Sequence, residues 1–356
     1  MRHTWWPVIV GITVLIGFLA GCETPPPLPP LQEVAVIDTS YVEVSPPFFG
    51  FTNPQDILVG NDQLVYVADT DSNRVILMNR AGQMLSTRTM LRPVSLAQDT
   101  RLDLLIGGEI AVPNDTLRLG ALFRLHLVAA GHHLDEATID TVWVERAKPN
   151  RRFPGITVFG DNTWLAVRTG PDNSSFIDPD ARVLEFDRND QFITPVPAFT
   201  STTGGSITNI NRPTAIASFP GVRDFVLAQS SEGVSYAAVW MKYESSSDFE
   251  GWLLQYDPAR IDDRGIDFIR AGQYLQPEAV TIDKSRRDVF IADAELDSVF
   301  KFNSRGRYRI ESFGFYRTGG RMVRPTGLAF FEKILYVLDA SQGQVLRFRL
   351  SSDVPR

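Results

Sequence analysis

A pattern of short apolar strands that begins at a proline and recurs along the chain constrains the fold more than any other feature. The clearest copies read PQDILVGNDQLVYVADTDSNRVILMN, PEAVTIDKSRRDVFIADAELDSVFKFN and PTGLAFFEKILYVLDASQGQVLRFRL, and three weaker copies lie between the first two. Six prolines, which we call the anchor prolines, open the copies: Pro54, Pro93, Pro154, Pro213, Pro277 and Pro325. Multi-stranded repeats of roughly 40–50 residues are typical of β-propellers.

The strands are apolar on both faces, as LVYVA and VILM in the first copy show. An antiparallel sheet with one wet face would instead alternate apolar and polar residues. Each small sheet is therefore expected to be covered on both sides, as stacked propeller blades are. A β-sandwich with accidental internal similarity is the alternative.

The three clear copies resemble the NHL repeat, in which a proline and a small residue precede an apolar strand, a YVAD-like segment and a turn with Asn and Arg. Residues 54–83 match best, with VYVAD at 65–69 followed by Asn73 and Arg74. The copies at Pro277 and Pro325 keep VFIAD and LYVLD but lack the Asn-Arg pair. The resemblance implies an all-β fold, a six-bladed β-propeller.

The sequence predicts how the ring closes. Each blade needs a fourth, outer strand, and RYRIESFG at 307–314 is the predicted outer strand of the fifth blade. The sixth copy ends at Leu350 with only six residues left, so its outer strand must come from elsewhere. We expect residues 41–44, or VAVI at 34–37, to complete the last blade, which removes the exposed sheet edges.

The N-terminus has the features of a secretory signal. Arg2 precedes an apolar run that is too short for the roughly 18–20 residues of a spanning helix. LAGC at 19–22 resembles the bacterial lipobox, which implies lipid attachment at Cys22 and a mature chain that begins there. The predicted parts are a signal peptide at 1–21, a Pro-rich tether at 22–33 and a propeller at 34–356. Glu23 after the cysteine favours an outer-membrane lipoprotein of the cell envelope, on the periplasmic side or at the cell surface.

Composition excludes several classes. The single Cys excludes intrachain disulfides and multi-thiolate metal sites. A formal net charge of −7 disfavours nucleic-acid binding, whose electrostatic footprint is basic. No nucleophile elbow, Walker loop or dinucleotide fingerprint stands in a suitable context.

The lengths of the loops distinguish the two faces of the predicted ring. The first-to-second and third-to-fourth connections are predicted to be short, and we call their side the short-loop face. The long segments 107–118, 169–181, 199–212, 230–251 and 314–324 fall in the other connections, on what we call the loop-rich face. Long loops on a rigid scaffold usually carry function. Candidate ligand-face residues are Glu109, Arg168, Tyr236, Trp240, Tyr243, Asp293 and Asp339, although the aromatic ones could equally pack the loops onto the ring.

Acidic residues recur at the ends of the second strands, at Asp69, Asp293 and Asp339. A ring of carboxylates has the chemistry to bind Ca²⁺, while an Asp that caps its own turn explains the same pattern. The turn cap is the preferred interpretation, and no cofactor or metal is expected. His126, His132, His133 and Asp135 have a metal-binding composition but no metal-ligand spacing, so a solvent-exposed turn is expected there.

These features together predict a membrane-anchored extracytoplasmic binding or scaffold module that presents one loop-rich face to a protein, peptide or glycan partner. The enzyme alternative is a metal-dependent lyase or lactonase-type hydrolase that uses carboxylates at the channel mouth. Such activities occur in some six-bladed propellers, including NHL relatives.

Overall fold

The computed structural model describes residues 39–175, 177–196, 210–230, 236–257, 260–315 and 322–354. The signal peptide, Cys22, the tether, VAVI at 34–37 and parts of four predicted loops lie outside the described residues. The strands, in chain order, are β1 (Tyr41–Glu43), β2 (Phe48–Phe49), β3 (Pro54–Val59), β4 (Val65–Asp69), β5 (Arg74–Met78), β6 (Met84–Thr89), β7 (Ser95–Gln98), β8 (Leu104–Ala111), β9 (Arg118–His126), β10 (Thr138–Val144), β11 (Arg152–Val158), β12 (Trp164–Thr169), β13 (Arg182–Phe186), β14 (Phe192–Pro195), β15 (Pro213–Ser218), β16 (Phe225–Gln229), β17 (Ala238–Ser245), β18 (Glu250–Leu254), β19 (Pro277–Ile282), β20 (Val289–Asp293), β21 (Ser298–Phe302), β22 (Pro325–Phe331), β23 (Ile334–Asp339) and β24 (Gln344–Leu350). Short 3₁₀ turns occupy Val128–Ala130, Ile261–Asp263, Asp267–Ile269 and Ser351–Asp353.

Six small antiparallel sheets form the blades of a propeller, which confirms the predicted fold class. Blades 1 to 6 begin at β3, β7, β11, β15, β19 and β22. These first strands contact one another in succession around the ring, and β22 of the last blade returns to β3 of the first. The first strands therefore line a central channel, and the later strands of each blade lie farther out.

The N-terminal strand closes the ring as predicted. In the last blade β1 pairs with β24, with Tyr41 opposite Leu350 and Glu43 opposite Phe348. The Tyr41 ring also meets Phe290 of the preceding blade in an edge-on contact, with ring centroids 6.0 Å apart. Ring closure thus joins the two ends of the described chain and ties blade 6 to blade 5.

Blade 5 differs from the sequence prediction. It has three strands, and the predicted fourth strand at 307–314 meets β21 only through isolated bridges at Tyr308 and Phe313. Between these bridges a turn interrupts the pairing, and the backbone N–H of Ser312 donates to the Arg309 carbonyl. The segment therefore covers the edge of β21 without forming a regular strand.

The middle strands of the blades are buried on both faces, in agreement with the apolar runs. All residues of β4, β20 and β21 are buried. The outer strand β6 exposes Met84 and Leu85 because it faces the solvent. Six clusters of buried apolar side chains fill the blades and the spaces between them. Among the described residues, no helix is long and apolar enough to cross a membrane.

Two of the predicted long loops are largely strand. The segment 107–118 is mostly the hairpin of β8 and β9, which leaves only 112–117 as a turn. The segment 230–251 contains β17 and the start of β18. On the short-loop face, the connection 127–137 between β9 and β10 is longer than predicted.

Candidate functional site: the loop-rich mouth of the channel

The central channel holds a cavity of about 410 Å³ that is lined by the first strands of all six blades. Its middle is apolar, and Ile156, Ile216, Val280 and Leu328 belong to its wall. Polar residues line the wall where the first strands begin: Gln55, Arg152, Thr169, Arg212, Thr214, Ser230 and Glu278. Because the second strand of blade 3 ends there at Thr169 and Ser230 directly follows the second strand of blade 4, this mouth opens on the loop-rich face.

The acids that end the second strands hold the backbone of this mouth in place. Asp69 is fully buried, accepts the backbone N–H of Thr52 at 2.7 Å and pairs with Arg74 at 2.9 Å. Asp293 accepts the N–H groups of Leu275 and Gln276, just before the anchor proline of its blade. It also accepts two N–H groups of its own turn. Both sides of the turn are therefore fixed by one carboxylate.

Asp339 repeats this arrangement in blade 6. It is fully buried and accepts the backbone N–H of Val323 at 2.9 Å and that of Ser341 at 3.1 Å. In blade 4 the amide oxygen of Gln229 replaces the carboxylate and accepts the Asn211 N–H at 3.1 Å. Asp293 and Asp339 were candidate ligand-face residues, but their side chains are fully buried and point into the backbone. A ligand on the surface does not reach them.

Glu109 and Arg168, the other two polar candidates, lie in ion-pair networks beneath the same face. Glu109 is 7% exposed and accepts a hydrogen bond from Arg152 Nε at 2.8 Å. Arg168 is 4% exposed and pairs with Glu145 at 3.0 Å and with Asp178 at 2.8 Å. Buried charges need partners of this kind. Glu109 supports Arg152 at the mouth, whereas Arg168 connects blade 3 to the loop that follows β12.

The three aromatic candidates do not form one surface. Tyr236 lies before β17 on the loop-rich face, half-buried, and its carbonyl accepts the Gln229 side chain. Trp240 is inside β17, 6% exposed, and stacks on Phe219 with ring centroids 4.5 Å apart. Tyr243 lies farther along β17, toward the short-loop face. The prediction that Trp240 and Tyr243 lie in a loop on the ligand face is wrong, because that segment forms a strand that packs into its blade.

Two carboxylates belong to the channel wall itself. Asp56 accepts the backbone N–H groups of Ile57 at 2.8 Å and of Leu96 in the neighbouring blade at 2.7 Å. Burial raises the pKa of Asp56 to about 7, since desolvation opposes its charged form more than the two N–H donors favour it. Burial also raises the pKa of Glu278, against the opposing effects of Gln276, Arg324 and Arg212. Sequence reasoning missed both residues because each follows an anchor proline inside an ordinary strand.

The described residues do not fit a metal centre. They contain no group of three or more His, Cys, Asp or Glu side chains placed to hold one ion. Asp56 and Glu278 stand on blades 1 and 5, which are separated by blade 6. On the short-loop side, His126 is bonded through one ring nitrogen to Asp103 at 3.1 Å and through the other to Asp140 at 2.9 Å. The Asp140 hydrogen bond is the main cause that raises the His126 pKa.

Arginines beside the anchor prolines are the second feature that sequence reasoning missed. Arg92, Arg212 and Arg324 directly precede their prolines, and Arg152 stands two positions before Pro154. The RP dipeptides were visible in the sequence, but only the fold shows that they return to one opening.

Comparisons with known proteins agree on the fold. No protein-family model matches the chain, and no curated protein matches it by sequence. A gluconolactonase from Xanthomonas campestris is 10% identical with a TM-score of 0.56, covering 88% of this chain and 97% of its own. A PQQ-bound aldose sugar dehydrogenase from Streptomyces coelicolor is 11% identical with a TM-score of 0.55, over 88% and 99% of the two chains. A luciferin-regenerating enzyme is 12% identical with a TM-score of 0.54, over 88% and 95%. At these identities the likeness shows a six-bladed propeller and nothing about activity.

Proposed function

We propose that the protein is a membrane-anchored extracytoplasmic binding propeller that receives its partner at the loop-rich mouth of the central channel. One observation carries the proposal. The acids that the sequence offers at the second-strand ends are buried in internal hydrogen bonds, whereas the channel mouth on the same face leaves charged and hydroxyl side chains open to a cavity. A scaffold that binds needs such a mouth and needs no catalytic group. The lipobox-like LAGC and the tether are the basis for the anchor.

A site-specific crosslinking experiment tests the binding face. A photo-crosslinking amino acid at Thr169 or Ser230, both at the mouth, is expected to trap a partner in intact cells. The same amino acid at Arg305, in the exposed turn between β21 and Tyr308, is the matched control on the short-loop face. Equal trapping at Arg305, or no trapping at either mouth position, would contradict the proposed face.

The anchor has its own test. Cells grown with an alkyne-labelled fatty acid are expected to label the wild-type protein and not the Cys22→Ser variant. Label that persists in the Cys22→Ser variant would show that the lipid is attached at another residue. An unlabelled wild-type protein would remove the anchor from the proposal without affecting the binding face.

Lactone hydrolysis is the second candidate, and the gluconolactonase among the fold neighbours is the observation in its favour. The described residues do not supply the donor set of a metal centre, so we derive no step through a metal. Purified protein is expected not to accelerate the hydrolysis of glucono-δ-lactone in a pH-stat. Hydrolysis that EDTA abolishes and that Glu278→Gln also abolishes would establish the enzyme and overturn the scaffold.

A further inference from the structure

Four arginines stand one or two positions before the anchor prolines of four blades, and two of them, Arg152 and Arg212, line the cavity. They are Arg92 in blade 2, Arg152 in blade 3, Arg212 in blade 4 and Arg324 in blade 6. Arg212 and Arg324 directly precede the first residues of β15 and β22, and the first strands form the channel wall. Guanidinium groups thus stand at one opening of a chain whose formal net charge is −7.

Two of these arginines form ion pairs with neighbouring carboxylates, and for the other two the described residues supply no such partner. Arg92 pairs with Asp71 at 3.1 Å, and Arg152 pairs with Glu109 at 2.8 Å. The exposed side chains of Arg212 and Arg324 form no hydrogen bond or ion pair with any residue that the structure describes. A guanidinium without a carboxylate keeps its donors for a ligand and recognises a planar carboxylate through two parallel hydrogen bonds.

Glu278 lies between them. It belongs to blade 5, between the blades of Arg212 and Arg324, and both arginines act on it electrostatically. Its Oε1 accepts a hydrogen bond from Gln276 Nε2. The Glu278 carboxylate therefore lies within electrostatic range of both guanidinium groups, and Asp293 is a further acid on the same blade.

The remaining polar wall suits hydroxyl groups. Gln55, Thr169, Ser230 and Glu278 line the mouth and offer both donors and acceptors. The cavity of about 410 Å³ lies in the range of roughly 300–1,000 Å³ that small-ligand sites occupy. A ligand that satisfies all these groups carries a carboxylate beside several hydroxyls on a compact ring.

We propose that the mouth binds the uronate units of an acidic glycan, with the carboxylate on Arg212 and Arg324 and the hydroxyls on Glu278 and its polar neighbours. This inference rests on the proposed function and names the class of its partner. An acidic peptide would satisfy the arginines but would leave the hydroxyl-binding groups without partners. A neutral glycan would leave the arginines unpaired.

Calorimetric titration with trigalacturonate tests the proposal on the purified propeller, with its fully methyl-esterified form, maltotriose and a triglutamate peptide as comparison ligands. Wild type is expected to bind trigalacturonate at least tenfold more tightly than each of the other three, because only trigalacturonate offers carboxylates to the arginines together with ring hydroxyls to the polar wall. The Arg212→Gln/Arg324→Gln variant is expected to lose at least 30-fold in affinity. Arg305→Gln removes a similarly exposed arginine from the other face and is expected to stay within twofold of wild type.

The contrary results are distinct. Equal affinity for the acid and its methyl ester, or unchanged affinity in a double variant that melts like wild type, would overturn the arginine assignment. Tighter binding of triglutamate would replace the glycan by an acidic peptide. No uronate binding, together with crosslinking at Thr169 or Ser230, would refute the ligand class and leave the proposed function intact. No uronate binding together with no crosslinking at Thr169 or Ser230 would refute both the ligand class and the proposed function.

Discussion

Two sets of charged residues recur around the loop-rich face, and they are used in opposite ways. The acids Asp69, Asp293 and Asp339 end second strands, are fully buried and accept backbone N–H groups. The arginines before the anchor prolines stand on the adjoining backbone, and the exposed side chains of Arg212 and Arg324 have no bonded partner among the described residues. Each set repeats around the ring, so repetition alone does not distinguish a structural residue from a binding residue. Burial and hydrogen bonding do.

The two sets are physically linked. Asp339 accepts the backbone N–H of Val323 and, at 3.4 Å, that of Arg324 itself. The acid therefore positions the backbone from which the arginine projects. Loss of the acid is expected to damage the fold and the mouth together, whereas loss of the arginine is expected to damage only the mouth.

The largest expected effect is that of Asp339→Ala. The change removes a fully buried carboxylate that accepts the N–H groups of Val323, Ser341 and Gln342, and a hydrogen bond to a charged group contributes about 1.5–3 kcal/mol. We expect urea unfolding to show a loss of about 3 kcal/mol or more. Asp262→Ala, at an exposed acid of a 3₁₀ turn, is the control and should change the free energy of unfolding by less than about 0.5 kcal/mol. Equal losses would contradict the capping role.

An arginine that has bonded partners should contribute to the stability of the fold, as the buried acids do. The Arg223 guanidinium lies about 5 Å from the ring centroids of Tyr243 and Trp252 and pairs with the buried Glu185 at 2.6 Å. Arg223→Ala is expected to cost about 2–3 kcal/mol, since it removes cation–π contacts and leaves Glu185 unpaired. Arg223→Lys should recover part of this loss in thermal unfolding. No loss in Arg223→Ala would show that the contacts are incidental.

The next effect is a pH dependence that arises at Asp56. Its pKa is about 7 in the folded protein and 3.8 in its ordinary environment, so its contribution to stability is full below about pH 4 and is lost as the pH rises through 7. Between pH 6 and 8 we expect wild type to lose about 1–2 kcal/mol of stability relative to Asp56→Asn. Parallel pH profiles of the two proteins would contradict a buried, proton-binding Asp56.

The smallest expected effect on stability is that of Arg324→Gln. The side chain is exposed and has no bonded partner among the described residues, so the free energy of unfolding should change by less than about 0.5 kcal/mol. The melting temperature should match that of wild type while uronate binding falls. A clear loss of stability would place Arg324 with the structural set.

The fold was predictable because each blade is formed by one copy of a local sequence pattern, and the blades then pack side by side around the ring. The apolar runs in β4 and β20, the anchor prolines and the missing outer strand of the last blade led directly to six blades and to closure by residues 41–43. The resemblance to NHL repeats and the lipobox remain predictions. The prediction of a regular outer strand in blade 5 is wrong, because the turn between Arg309 and Ser312 interrupts the pairing of that segment with β21.

The site was less predictable because its residues are distant in sequence. Arg212, Glu278 and Arg324 belong to three blades and meet only at the channel. The sequence predicts a loop at Trp240 and Tyr243. In the structure both residues belong to β17, which continues to Ser245. Loop length predicts a binding face, which remains a prediction, while the side chains of the proposed site come from segments at the anchor prolines.

A crystal structure of the propeller soaked with trigalacturonate tests the central comparison most directly. The account predicts one uronate carboxylate within about 3 Å of the Arg212 and Arg324 guanidinium groups, with Asp293 and Asp339 still bonded to their backbone N–H groups. A sugar or a cation bound instead to the carboxylates of Asp293 or Asp339 would contradict it, because those acids would then serve the ligand rather than the fold.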